Sequence, residues 1–406
     1  MMGTEMRRRL FTLFGVGAAF ALVRFSRLLQ VGAFATVAGV RRFLGTSASS
    51  HPGAHADEWE RLRPPEKKPI ATLSRVAITH HPWYQYHRAG DACICLAEAA
   101  ALGVGYLRSD VRWKDVLPDA KSPDEDAFRW YRSYFTAVRD WYGMQPLFVL
   151  SEAPNLVNSL DDKGRMSARR FYVEQVVARL GDLCRVYQVL NEPNNPVFRF
   201  FPKAQQCEAI KVAAQVIKSR VPRSQILVNF LEDLPTWRQT LTRILGDCGS
   251  AIDIVAIDHY PGTWALSATA DWSSTIEIAS AIRTAASGSI WAGRKLAIIE
   301  TGYSTNIVGL RTERHQSDYF VSLEQATKMI DLAMGARGID LLGLYEICDE
   351  NSAVRFDPEA HFGLVTSSFK RKLAFQTVQG LCARIGTSKD QSTLGACFVL
   401  DSRFRD

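Results

Sequence analysis

The sequence lacks several features that would assign a function directly. No glycine-rich G-x-G-x-x-G turn follows an early apolar run, which argues against a dinucleotide-binding open sheet. None of the eight cysteines has the spacing of a metal site, and no low-complexity tract interrupts the 406 residues. These absences indicate a globular protein with a large core, and no metal or cofactor is predicted.

The chain has little excess charge outside its N-terminal segment. Its formal net charge is +7, but residues 1–50 hold seven arginines, no lysine and one acid, Glu5. Without that segment, 42 basic and 41 acidic side chains remain. The basic character therefore belongs to the N-terminal segment, and the charge does not support a nucleic-acid partner.

The N-terminal segment also lacks an apolar run of the roughly 20 residues that span a bilayer. Its two apolar runs cover residues 10–23 and 28–40, and Arg8-Arg9 before the first resembles a twin-arginine export signal. An organelle transit peptide and a disordered or interfacial extension are the alternatives. We predict that residues 1–43 are a targeting or membrane-associating segment of an exported or membrane-attached protein, and that residues 44–70 are a linker.

A repeating pattern fills residues 71–390, where short apolar runs alternate with helical periodicity. Near-continuous apolar strands that alternate with helices predict parallel strands covered by helices. The pattern therefore predicts an α/β fold, a single (β/α)8 TIM barrel, with residues 391–406 as a C-terminal tail. The active site of such a barrel lies at the C-terminal ends of its strands. The eight predicted strands are residues 76–79, 106–110, 147–150, 186–190, 226–230, 254–257, 296–299 and 341–345.

Two glutamates stand at the ends of predicted strands. Glu192 follows the fourth strand and Glu300 the seventh, so each places a charge at the barrel mouth. Glycoside cleavage needs two such groups, one to protonate the leaving oxygen and one to attack or stabilise the anomeric carbon. Because strands four and seven lie across the barrel from each other, the two side chains are predicted to flank one bond. Either glutamate alone is better explained as a turn residue or salt-bridge partner.

Four features together resemble the clan A glycoside hydrolases, a group of retaining β-glycosidases. They are Asn191-Glu192-Pro193, the strand end at Glu300, His259-Tyr260-Pro261 after strand six, and Arg108 on strand two. The resemblance covers roughly residues 75–385. Residues 313–319 and the acids after strand eight look closest to the xylosidase and iduronidase-like branch, and they are similar to bacterial exopolysaccharide-associated hydrolases.

The resemblance implies a role for each matching residue. Glu192 would be the general acid/base, and Glu300 the nucleophile of a double displacement. Asn191 would hydrogen-bond the 2-hydroxyl of the sugar, while Arg108 and Tyr260 would hold Glu300. Two plainer interpretations stay open: Arg108 could pair with a nearby acid, and Tyr260 could simply pack its loop.

Aromatic and histidine side chains after the other strands are candidates to contact a sugar. Tyr345 stands where many clan A members have a tryptophan after strand eight, so the identity of the sugar stays open. His259 is equally well explained as a structural histidine. The substrate-binding candidates beyond Asn191, Arg108 and Tyr260 are His80, Trp83, His259, Trp264, Tyr303 and Tyr345.

Other functions remain as alternatives. A transglycosylase would use the same two glutamates, and a non-catalytic polysaccharide-binding barrel would have the same fold. A barrel aldolase would need a Schiff-base lysine, but Lys295 starts strand seven and so lies at the wrong end. The predicted partner is a carbohydrate substrate, and the sequence leaves the oligomeric state open.

Overall fold

The computed structural model describes most of the predicted barrel. The predicted N-terminal segment 1–43 and the tail 391–406 lie outside the described residues. Among the described residues, no helix combines the length and the apolar character needed to cross a bilayer. The described residues are 56–62, 74–82, 89–198, 200–232, 234–263, 272, 275, 279–280, 284, 294–306, 311–334, 338–350 and 357–385.

Eight parallel strands close into a barrel in chain order, which confirms the predicted fold class. Every strand is buried along nearly its whole length, which explains why most appear in the sequence as apolar runs; β2 is the exception, because Arg108, Ser109 and Asp110 are buried and polar. The strands are β1 (Val76–Thr79), β2 (Tyr106–Asp110), β3 (Gln145–Val149), β4 (Val186–Leu190), β5 (Gln225–Leu231), β6 (Ile254–Asp258), β7 (Lys295–Glu300) and β8 (Leu341–Leu344).

Helices follow the strands, as the alternating pattern predicts. The helix predicted at residues 275–286 falls mostly outside the described residues. The first helix lies within the predicted linker, and its Trp59 is buried in the main core. The α-helices are α1 (Ala56–Leu62), α2 (Ala89–Leu102), α3 (Trp113–Val116), α4 (Glu125–Thr136, continued by a π-helix Ala137–Trp141), α5 (Asp162–Leu180), α6 (Gln206–Arg220), α7 (Trp237–Cys248), α8 (Glu313–Met334) and α9 (Ala374–Ile385).

The apolar side chains form two cores, and the smaller one fills the barrel interior. Interior residues include Tyr106 on β2, Val186 on β4, Leu227 on β5 and Ala256 on β6. Side chains alternate between the two faces of a strand, so the residue two positions further on also faces the interior. Those positions carry polar side chains at the C-terminal end of the barrel: Arg108, Gln188, Asn229 and Asp258.

The strand ends that carry the carboxylates are irregular. The pairing of β4 with β5 shifts between Gln188 and Leu190, and that of β6 with β7 shifts so that Asp258 lies opposite Glu300. Such shifts re-aim side chains at the rim of a barrel. Beyond β7, a Cβ atom at Gly302 would lie 2.0 Å from the carbonyl oxygen of Tyr345. Glycine is therefore needed for the ends of β7 and β8 to approach this closely.

Candidate active site

A tight turn after β4 presents Glu192. Its φ of 40° lies in the left-handed region, which is strained for a residue with a side chain. The Asn195 N–H donates to the Glu192 carbonyl at 2.8 Å, and the Asn194 amide exchanges two hydrogen bonds with the Leu231 backbone at 2.8 and 3.0 Å. The turn is thus tied to β5, and the side chain it carries is buried.

Glu300, the last residue of β7, is held through both carboxylate oxygens. Arg108 Nη2 lies 2.6 Å from Oε1, and the Tyr260 hydroxyl donates to Oε2 at 2.8 Å. Arg108 is itself only 2% exposed and donates to Gln188 Oε1 at 2.9 Å. A buried cation and a hydroxyl donor therefore bind this side chain, and both contacts suit a carboxylate.

A network of amides orients Asn191 between the two glutamates. Its Oδ1 accepts from Gln188 Nε2 at 2.7 Å, Asn229 Nδ2 at 3.0 Å and Arg108 Nη2 at 3.2 Å. Three donors on one oxygen fix the orientation of the amide group. Its NH2 group is therefore the end that can donate to a ligand, and the residue is half-buried at the barrel mouth.

A third carboxyl group, Asp258 at the end of β6, joins the two glutamates. It is wholly buried and accepts from Asn229 Nδ2 at 2.5 Å. Asp258, Asn229 and Gln188 are not among the site residues predicted from the sequence. A sequence feature that could have identified them is a polar residue within or at the end of an apolar strand.

Glu192, Asp258 and Glu300 each offer one carboxylate oxygen, and these three atoms lie within 4.8 Å of one another. Burial, followed by the charge of Glu300, raises the pKa of Glu192 to about 7, although hydrogen bonds from Asp258 and Asn195 oppose the rise. Carboxylates are metal-ligand types, but both oxygens of Glu300 already bind Arg108 and Tyr260. The arrangement is therefore suited to proton transfer beside a fixed carboxylate.

Tyr345 forms the wall of the site after β8. The half-buried ring lies 5.6 Å from the His81 ring and 6.3 Å from the Tyr260 ring, and the peptide bond that follows it is cis. His81 in turn contacts Asp110 Oδ2 at 2.7 Å. Burial alone would raise the pKa of Asp110, but the hydrogen bond and charge of His81 outweigh it and lower this pKa to about 2. The ring of Tyr345 thus lies beside His81 and beside Tyr260, whose hydroxyl binds Glu300.

Two predicted sugar contacts have protein partners instead. His259 engages Glu232 through Nδ1 at 3.2 Å and Thr275 through Nε2 at 3.0 Å. His80 has no exposed area, and its Nδ1 lies 2.7 Å from the Tyr134 hydroxyl. Burial lowers the pKa of His80 to about 3, so this side chain is neutral. Both histidines are integrated into the walls of the barrel.

Tyr303 is also within the protein rather than at its surface. The ring is wholly buried, 5.3 Å from the Tyr319 ring, and the Arg311 guanidinium lies 5.0 Å from its centroid. The other two aromatic candidates, Trp83 and Trp264, lie outside the described residues. The structure thus gathers Glu192, Glu300 and their nearest supports, while Tyr303 packs in the core beyond β7.

No family sequence profile and no curated protein matches the chain. Solved structures do share its barrel. A family 39 glycoside hydrolase from Bacteroides cellulosilyticus is 15% identical with a TM-score of 0.55, covering 79% of this chain and 64% of that one. An exo-β-1,4-mannosidase from an Opitutaceae bacterium is 14% identical with a TM-score of 0.61, covering 79% and 61%.

A family 1 β-glucosidase from Thermotoga maritima is 14% identical with a TM-score of 0.58, and the match covers 79% of this chain and 99% of that one. The chain spans about three fifths of the length of the first two proteins and nearly all of the third. At these identities the likeness establishes the fold alone, a closed (β/α)8 barrel.

Proposed function

We propose that this protein is a retaining glycoside hydrolase that cleaves β-glycosidic bonds of an oligo- or polysaccharide. The observation that carries the proposal is the closeness of two carboxyl groups in different environments. Oxygens of Glu192 and Glu300 lie within 4.8 Å. Retaining enzymes separate their carboxyl groups by about 5–5.5 Å, whereas inverting enzymes need roughly 6.5–9.5 Å to admit a water molecule.

The environments of the two glutamates match the two roles. A pKa of about 7 lets Glu192 carry a proton at the start of the cycle and act as a base later. Glu300, bound by Arg108 and Tyr260, is positioned as the nucleophile. The proton of Glu192 goes to the leaving oxygen while Glu300 forms the glycosyl ester, and Glu192 then deprotonates the water that hydrolyses the ester.

Asn191 supports the same reaction from between the glutamates. Because three donors saturate its Oδ1, its NH2 group is directed to the substrate. A hydrogen bond from this group to the sugar 2-hydroxyl would strengthen as oxocarbenium character develops. The three solved structures compared above are glycoside hydrolases, including a β-glucosidase and an exo-β-1,4-mannosidase, and this supports a β-linked sugar as the substrate class.

The test is hydrolysis of a panel of nitrophenyl β-glycosides by the wild-type protein, with the product anomer followed by proton NMR. We expect the β-anomer to form first, as retention requires. First formation of the α-anomer would contradict the mechanism. Oligosaccharide binding without turnover would favour a polysaccharide-binding barrel, and transfer to an added acceptor sugar at the expense of hydrolysis would favour a transglycosylase.

We also propose that residues 1–43 export the protein or attach it to a membrane. The arginine-rich, acid-poor composition and the two apolar runs support this role. Cell fractionation of the full chain tests it, with the double variant Arg8→Lys and Arg9→Lys as the comparison. We expect the wild-type chain outside the cytosol or in the membrane fraction, and an equal cytosolic location for both chains would contradict the proposal.

A further inference from the structure

Asp258 occupies an unusual position, since its carboxyl group is buried beside two others. The side chain has no exposed area, and Asn229 donates to its Oδ2 at 2.5 Å, while its Oδ1 accepts from no donor among the described residues. Carboxylate oxygens of Asp258, Glu192 and Glu300 lie within 4.8 Å of one another. Two carboxyl groups can form a hydrogen bond only when one of them holds a proton, because carboxylate oxygens are acceptors only.

The charges around this pair require the same conclusion. Glu192 after β4, Asp258 on β6 and Glu300 on β7 offer carboxylate oxygens within 4.8 Å of one another, and among the described residues Arg108 on β2 is the cation bound to this group. Arg108 is bound to Glu300 at 2.6 Å. The hydroxyl of Tyr260 after β6 donates to the same glutamate. A buried second anion beside Glu192 would be uncompensated, so Asp258 and Glu192 must share at least one proton.

We propose that Asp258 is a positioning residue that stays a neutral carboxylic acid and donates its hydrogen bond to the Glu192 carboxylate. This inference rests on the proposed glycosidase function. When Glu192 has given its proton to the leaving oxygen, the hydrogen bond from Asp258 stabilises the carboxylate that remains. Glu192 takes the next proton from water, and Asp258 keeps its own throughout the cycle.

The surroundings of the two carboxyl groups support this assignment. Asp258 has no exposed area and accepts from one donor, Asn229, whereas Glu192 is 4% exposed and accepts from Asn195 at 2.6 Å. Burial, followed by the charges of Glu300 and Glu192, raises the pKa of Asp258 well above its usual range. The proton that this buried pair holds therefore lies on Asp258 when Glu192 is a carboxylate.

Two substitutions of Asp258 distinguish a neutral hydrogen-bond donor to Glu192 from a charged neighbour of Glu192. Asp258→Asn keeps a neutral donor beside Glu192, so we expect the basic limb of the kcat/KM profile to stay at its wild-type pH. Asp258→Ala removes the donor, so the pKa of Glu192 should rise and the basic limb should move up by about one pH unit. A downward shift in Asp258→Asn would show that Asp258 is ionised in the wild type and would overturn the proposal.

Asp253→Asn is a matched control near the opposite end of β6. Asp253 binds Lys218 Nζ at 2.9 Å and the backbone N–H of Ile226 at 2.8 Å, far along the strand from Glu192. We expect it to lower stability without moving the basic limb. An equal shift in this control would show that the limb responds to strand stability rather than to the contact with Glu192, and would overturn the proposal.

A readout without substrate distinguishes this inference from the proposed function. The infrared C=O stretch of a neutral carboxylic acid should be present in the wild-type protein at pH 7, lost in Asp258→Asn, and therefore visible in the wild-type-minus-variant difference spectrum. Absence of activity on every glycoside would overturn the proposed function and leave this band as the test of Asp258. Identical spectra would overturn the inference, and the comparison does not require Asp258→Ala to fold.

Discussion

The ends of β4 and β7 carry the same side chain in opposite environments. Glu192 faces the carboxyl groups of Asp258 and Glu300 and accepts from the neutral amide of Asn195 at 2.6 Å. Glu300 instead has a guanidinium at 2.6 Å and a phenol hydroxyl at 2.8 Å. Both residues are buried, at 4% and 8% exposure, so burial alone does not distinguish them.

In the proposed mechanism, neighbours rather than residue type assign the two roles. A carboxyl group among other carboxyl groups holds its proton to higher pH, and one bound by a cation is kept ready as a nucleophile. The side chains that create the contrast come from the ends of β2, β4, β6 and β7. Substitutions can remove one element of that contrast at a time.

The largest effect is expected for Glu300→Ala. Without the nucleophile, the glycosyl ester cannot form, and kcat for a nitrophenyl β-glycoside should fall by roughly 10⁴-fold or more. Steady-state turnover measures this loss, with circular dichroism to show that the barrel is intact. A folded variant with undiminished turnover would remove Glu300 from the mechanism.

Glu192→Ala should cost less, about 10²–10⁴-fold, because only proton transfer is lost. The loss should depend on the leaving group. Glycosides with poor leaving groups need the proton and should lose most, whereas dinitrophenyl glycosides should lose little in the first step. Comparison of kcat/KM across a leaving-group series checks this, and a uniform loss would contradict the role of Glu192 as the acid.

Tyr260→Phe removes one hydrogen bond from Glu300, and Asn195→Ala removes one from Glu192. Loss of the bond to Glu300 should lower kcat roughly tenfold or more, since bonds to charged groups are worth about 1.5–3 kcal/mol. Asn195→Ala should instead move the basic limb of kcat/KM upward, because the bond from Asn195 lowers the pKa of Glu192. Full pH profiles measure both, and an exchange of the two effects would contradict the assigned roles.

The last effect concerns stability rather than activity, as a dependence of stability on pH. The pKa of Glu192 is raised from 4.5 to about 7 in the folded protein, so between these values the folded state binds more protons than the unfolded state. Its contribution to stability is therefore present below pH 4.5 and is lost as the pH rises through 7. Glu192→Gln should consequently be more stable than the wild type at pH 8, by about 3 kcal/mol at most. Urea unfolding at pH 4 and pH 8 tests this, and an equal difference at both values would contradict it.

The sequence predicted the barrel because the strands are buried on both faces, so that all but the partly polar β2 appear as apolar runs between helices. It also located Glu192 and Glu300, since a charge directly after such a run is costly without a purpose. The sequence does not distinguish Asp258, because it lies between an apolar run and the His259-Tyr260 motif. Its importance comes from the shifted pairing of β6 with β7, which depends on the folded register.

The histidine candidates show a second limit of the sequence. His80 and His259 follow strands at the barrel mouth, as a sugar contact would. Their ring nitrogens nevertheless engage Tyr134 in one case and Glu232 and Thr275 in the other. A residue that follows a strand lies at the C-terminal end of the barrel. Whether its side chain points into the site depends on its partners in helices and loops far away in the sequence.

Azide rescue tests the central assignment most directly. With an activated aryl β-glycoside, azide should replace the missing nucleophile in Glu300→Ala and give the α-glycosyl azide. In Glu192→Ala it should attack the glycosyl ester on Glu300 and give the β-glycosyl azide. Proton NMR of the two products distinguishes the outcomes. Products of opposite configuration, α from Glu300→Ala and β from Glu192→Ala, would confirm the roles, and the reverse pattern would contradict them.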